Sequence, residues 1–127
     1  MENETSNLKL KLEEIDATIA EHQKKIDLGK DLEELHEDER FQRVILGAYL
    51  DDEAKRLFSV LVEPSTLKRD VMENIVDKTS SIRNLKQFFA VMLQNADMAP
   101  QQIEDEMKFR KEVTTYHAEL PEPQIEE

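Results

Sequence analysis

The chain has 127 residues, 39% of them hydrophobic, with two glycines, four prolines, no cysteine and a formal net charge of -12. That is one domain's worth of chain with a modest core; disulfide frameworks and thiolate metal sites are excluded, as fits a reducing compartment, and no run approaches the ~20 apolar residues of a membrane span. The opening, MENETSNLKLKL, lacks the basic start and unbroken apolar run of a signal peptide, so secretion is not expected.

The acidity is uneven. Residues 1–36, 37–64 and 98–127 carry net charges of -5, -3 and -5, whereas residues 65–97 carry +1. Binding a phosphate backbone through counterion release needs clustered Lys and Arg, so direct nucleic-acid binding is not expected. The acids read either as a solvated helical surface or as a surface that imitates nucleic acid.

In chain order, Thr5, Ser6 or Asn7 can cap a first helix. Its apolar positions Leu8, Leu12, Ile15, Ile19 and Ile26 step by four and three, with His22 in the remaining slot, which is a short heptad seam. The narrow stripe favours a partner helix, while folding back on the same domain is the alternative. His22 is either a register-setting or pH-sensitive seam residue or a partly exposed ring at the seam's edge. Past Leu28 the register is expected to slip to a rotated stripe of Leu28, Leu32 and Leu35, with a bend at Gly29 or a continuous helix to Leu35. Asp38 with Glu39 reads as the capped start of a second helix.

The densest apolar stretch, Phe41 to Leu61, reads as two helical pieces meeting at Leu50-Asp51-Asp52. Phe41, Val44, Ile45 and Ala48 share a face in the first, and Ala54, Leu57, Phe58 and Leu61 in the second. Pro64 ends the latter and Ser65 or Thr66 caps the next helix, whose stripe is Leu67, Val71, Ile75, Ile82, Leu85, Phe89, Met92 and Ala96. A kink or break is plausible at Thr79-Ser80-Ser81. A last helix is expected to begin at Ala99-Pro100, with Pro in the first helical position, and to carry a thin edge of Ile103, Met107, Phe109, Val113 and Tyr116. Leu120 to Glu127, LPEPQIEE, reads as a disordered or extended acidic tail.

Catalytic constellations are not evident. There is no Gly-rich phosphate loop, the three histidines stand apart, with Glu33 and Glu34 near His36 read as a solvated face, and no nucleophile arrangement stands out. No enzyme activity, cofactor or metal is expected.

The run Phe41-Gln42-Arg43-Val44-Ile45-Leu46-Gly47-Ala48-Tyr49-Leu50, followed by Glu53-Ala54 and Arg56-Leu57, resembles small helical structural and assembly proteins of tailed bacteriophages, which often begin with a short coiled-coil segment. The resembling residues lie within 41–57, 17 of the 127 positions. It implies a non-catalytic virion or assembly protein that binds other subunits, located in the virion or host cytoplasm.

The expected architecture is all-α: an N-terminal coiled-coil-like arm (1–36), a small helical bundle (37–117) and a tail (118–127). Candidate partner-binding residues are Leu8, Leu12, Ile15, Ile19, His22 and Ile26 on the arm and Leu120 and Ile125 on the tail. The expected partners are virion proteins or other copies of the chain, in an oligomer or larger assembly, with no membrane involved. Two other readings stay open: an acidic inhibitor that occludes a nucleic-acid site on a host enzyme, and a helical holdase-type chaperone.

Overall fold

The structure, a computed structural model, describes residues 2–63 and 68–119. It is all-α. Helix α1 (Glu2–Glu37) is followed by a short α2 (Glu39–Phe41), a π-helical stretch (Gln42–Glu53), α3 (Ala54–Leu61) and the 51-residue α4 (Arg69–Glu119). Two compact units share these elements. One joins Met1–Leu28 to Asn95–Glu127, and the other spans Gly29–Gln94. These are contact units, whereas the boundaries read from sequence concern segments, so the arm, bundle and tail remain expectations.

Helix α1 begins at Glu2 rather than at a cap near Thr5, and it runs through Gly29 without a break. Good helix formers on either side keep it continuous, because one internal glycine costs only ~1 kcal/mol relative to alanine. The rotated stripe is corrected: Gly29 and Leu32 are buried, while Leu28 and Leu35 lie exposed. In the unit Gly29–Gln94 the inward face of α1 passes through Gly29, Leu32 and His36, steps of three and four.

Asp38 has extended backbone geometry, and its carboxylate accepts from the backbone N–H groups of Arg40, at 2.8 Å, and Phe41, at 3.3 Å. Two carbonyls at the end of α1 also find donors, since Asp38 N–H reaches Leu35 O and the Gln42 side-chain amide reaches His36 O. Two carbonyls at the end of α1 and two N–H groups at the start of α2 thus find partners where the chain turns. The two backbone bonds, with the Arg40 side chain adding to the first, hold the Asp38 carboxyl below its ordinary value. A depressed carboxylate adds stability above its unfolded value of about 3.9, and that stability is lost as pH falls through the lower folded value. The urea midpoints of wild type and Asp38→Ala should accordingly be well separated near neutrality and converge as pH drops below about 4. A separation that stayed constant through that acid range would mean that the carboxylate is not the capping group.

The expected break at Asp51-Asp52 does not occur, because the π stretch passes directly into α3. Asp51 instead pairs with Lys55 along the helix surface. A capping carboxylate needs free N–H groups, and a continuous helix leaves none there. Phe41 at the end of α2 and Ile45, Leu46 and Leu50 of the π stretch face inward at separations of four and five, while Val44 and Ala48 are exposed. Bonds from i to i+5 wind the backbone wider than an α-helix, so the three-and-four rule mispredicts this segment. A Cβ at Gly47 would stand 3.1 Å from Gln42 O. In α3, Leu57 is buried and Ala54 and Val60 are half-buried, but Phe58 is 66% exposed and does not share the core face.

The core of the second unit is Leu50, Leu57, Ile75 and Ile82, with Ile45, Leu46, Ala54, Val60, Val71, Leu85 and Phe89 against it. Helix α4 is unbroken from Arg69 to Glu119. Ser81 donates to the carbonyl of Asp77 without interrupting the helix, and Pro100 sits inside it rather than opening a new one. The expected caps at Ser65 and Thr66 lie outside the described residues, as do Pro64 and the tail from Leu120.

Candidate protein-docking surfaces

Within the unit formed by Met1–Leu28 and Asn95–Glu127, side chains join α1 to the last third of α4. Arg110 donates to Asp16 at 2.9 Å, and the Lys11 ammonium lies over the Phe109 ring at 5.4 Å. The Asp16 carboxylate raises the Arg110 guanidinium above its already high value. Of the arm residues singled out in the sequence, Ile15 is 3% exposed, while Leu8, Leu12, Ile19, His22 and Ile26 are half-buried. The seam thus already has neighbours from its own chain. His22 lies 3.5 Å from the Lys25 ammonium through Nδ1. Leu120 and Ile125 lie outside the described residues.

On α4 the inward face of this unit passes through Ala96, Ala99, Ile103, Glu106, Arg110, Val113 and His117, continuing the three-and-four spacing. Beside it runs a second line that the sequence reading missed. Met98, Gln102, Asp105, Phe109, Glu112 and Tyr116 step by four, three, four, three and four, with Met98 51%, Phe109 40% and Tyr116 63% exposed. The spacing was readable, but sequence alone gave no reason to separate this line from the thin edge of Ile103, Met107 and Val113.

In the unit Gly29–Gln94, His36, Phe41 and Phe89 form a ring cluster with centroids 5.3 to 6.0 Å apart. The arrangement is tilted to edge-on, as the ring quadrupoles favour. His36 Nδ1 is 2.8 Å from the carbonyl of Leu32. Glu33 stands three residues before His36, the Glu-x-x-His spacing of helical carboxylate sites, but its side chain is exposed. Among the described residues no three His, Asp or Glu side chains gather to hold a metal.

An open groove of about 310 Å³ lies between α3 and the start of α4, with Leu57, Val60, Val71 and Ile75 below and Arg56, Asp70, Asn74 and Lys78 at the rim. Arg56 grips Glu53 through two hydrogen bonds of 2.9 and 2.5 Å. That contact, with Lys78 adding a smaller attraction, holds Glu53 below its ordinary value despite partial desolvation. The Arg56 guanidinium is therefore committed to Glu53, and the rim also holds one acid, Asp70.

Among the described residues, no helix is long and apolar enough to cross a membrane. The fold is that of an all-helical protein whose surface features are helical faces. Compared with known protein families, characterised proteins and solved structures, the chain matches none.

Proposed function

We propose that the chain is a non-catalytic structural or assembly protein of a bacteriophage virion that binds neighbouring subunits through helical surfaces. The observation that carries the protein-binding part is the distribution of apolar side chains: among the described residues fifteen large ones are exposed, against seven apolar residues in the buried core. Contiguous apolar patches mark interaction sites, and Phe58, Leu61 and Val62 bring three of the exposed side chains together at the end of α3. The virion setting rests on the resemblance of the Phe41 to Leu57 run. Quantitative mass spectrometry of particles and assembly intermediates made by the encoding genome tests it. The chain should occur in one or both at a fixed ratio to other structural proteins, and its absence from both would sink the reading.

A second reading, an acidic inhibitor that covers a nucleic-acid site, is favoured by one observation. The unit Met1–Leu28 with Asn95–Glu127 holds sixteen acidic and seven basic residues, a net charge of -9. Such an inhibitor would compete with DNA or RNA for its target and weaken steeply with salt. A partner retained at high salt, or bound without competition from DNA or RNA, rejects it.

A further inference from the structure

We infer that the unit formed by Met1–Leu28 and Asn95–Glu127 is an autoinhibitory clasp: its helix pair opens while the unit Gly29–Gln94 stays folded, and opening uncovers the α1 seam of Leu8, Leu12, Ile15 and Ile19. Opening is a property of the chain alone, so the inference goes beyond the protein-binding reading above and does not depend on it.

The two units differ in how much apolar surface each withdraws from water. Among the described residues, Leu32, Leu50, Leu57, Ile75 and Ile82 are buried in the unit Gly29–Gln94, and four of them form one cluster with seven partly buried apolar side chains against it. The helix pair buries Ile15 and Ala99, and an alanine side chain has little apolar area to contribute. Composition of the inward α4 face is the cause. Glu106, Arg110 and His117 take three of its seven places and alanines take two more, which leaves Ile103 and Val113 as its larger apolar side chains.

The remaining links between the two helices lie in water. Arg110 and Asp16 are each more than a third exposed, and Lys11 and Phe109, which make the cation–ring contact, are exposed as well. Solvent and salt screen such contacts, so each adds little. The seam is therefore covered by a poor match: a line on α1 that is apolar except at His22 meets a face that is polar or small in five of seven places. Segments with few buried apolar contacts open at low free energy while the better-packed core holds. Such a contact withholds the seam yet costs little to release.

Hydrogen–deuterium exchange of the full chain, read by mass spectrometry at neutral pH, tests the clasp. Backbone amides of residues 8–26 and 101–113 should exchange at least about tenfold faster than those of residues 50–57 and 75–82. Ile15→Ala should speed exchange in the helix pair by at least about tenfold more and leave the unit Gly29–Gln94 within about twofold of wild type. Glu106→Leu, which places an apolar side chain where a carboxylate now faces inward, should slow exchange in the helix pair alone. Equal protection in the two units, acceleration of both by Ile15→Ala, or no slowing by Glu106→Leu would each overturn the clasp. Absence of the chain from particles would reject the proposed function and leave this result untouched.

Discussion

Leu57→Ala should lower the unfolding free energy by about 2–5 kcal/mol, whereas Phe58→Ala should change it by less than about 0.5 kcal/mol. Leu57 is 2% exposed and belongs to the cluster with Leu50, Ile75 and Ile82; Phe58, one residue on, is 66% exposed. Truncating Leu57 removes buried methyl groups and leaves a cavity that the neighbouring helices fill only in part. At Phe58 the side chain is already in water, so little transfer energy is lost. Read from sequence, both residues lie on one face of the helix. Urea unfolding followed by circular dichroism separates the two cases, and comparable losses at the two positions would place Phe58 in the core against the structure. If Phe58 belongs to a partner surface, its substitution should act on binding and leave folding intact.

Pro100→Ala should raise stability by about 2 kcal/mol. Proline inside a helix lacks the N–H that would bond the carbonyl four residues back, here Ala96, and its ring crowds that carbonyl, at a cost of about 3 kcal/mol. Alanine restores the bond but gives back about 0.4–1 kcal/mol of unfolded-state entropy that the ring removes. Pro100 itself is exposed, so no packing is lost, while its neighbour Ala99 is 0% exposed. Were Pro100 the first residue of a separate helix, its missing N–H would be harmless and the substitution neutral or slightly destabilising. The sign of the change in the urea midpoint therefore decides between one helix and two.

Packing explains why α4 tolerates the proline. Within the unit that contains it, the inward spacing of Ala96, Ala99 and Ile103 continues across Pro100 without a shift in phase. A break there would rotate the following residues, Ile103 first, off that face. Propensity read residue by residue sees a stop signal, and only the summed burial on either side outweighs it.

The legible parts of the candidate site were those set by local spacing. The arm seam around Ile15 was found because its four-and-three steps repeat, but its neighbour, the α4 face that holds Arg110 against Asp16, lies 94 residues away in sequence. The exposed strip from Met98 to Tyr116 was hidden for the opposite reason. Its spacing is as regular as the seam's, and only exposure in the folded chain tells a surface line from a buried one.

Local chemistry in the sequence determined that this protein is helical, where the α1 seam lies as far as Ile26 and the α4 stripe from Val71 to Ala96, and that Asp38 opens a new helix. Each depends on residues within a turn or two of one another: few Gly and Pro, heptad steps, and a carboxylate within reach of two N–H groups. Tertiary structure decided the rest. It set the π winding from Gln42 to Glu53, the inward place of Gly29 and Leu32 in preference to Leu28 and Leu35, and the passage of α4 through Pro100. In each, burial against a distant segment outweighs a local preference of at most ~3 kcal/mol, and no short window of sequence contains the distant segment.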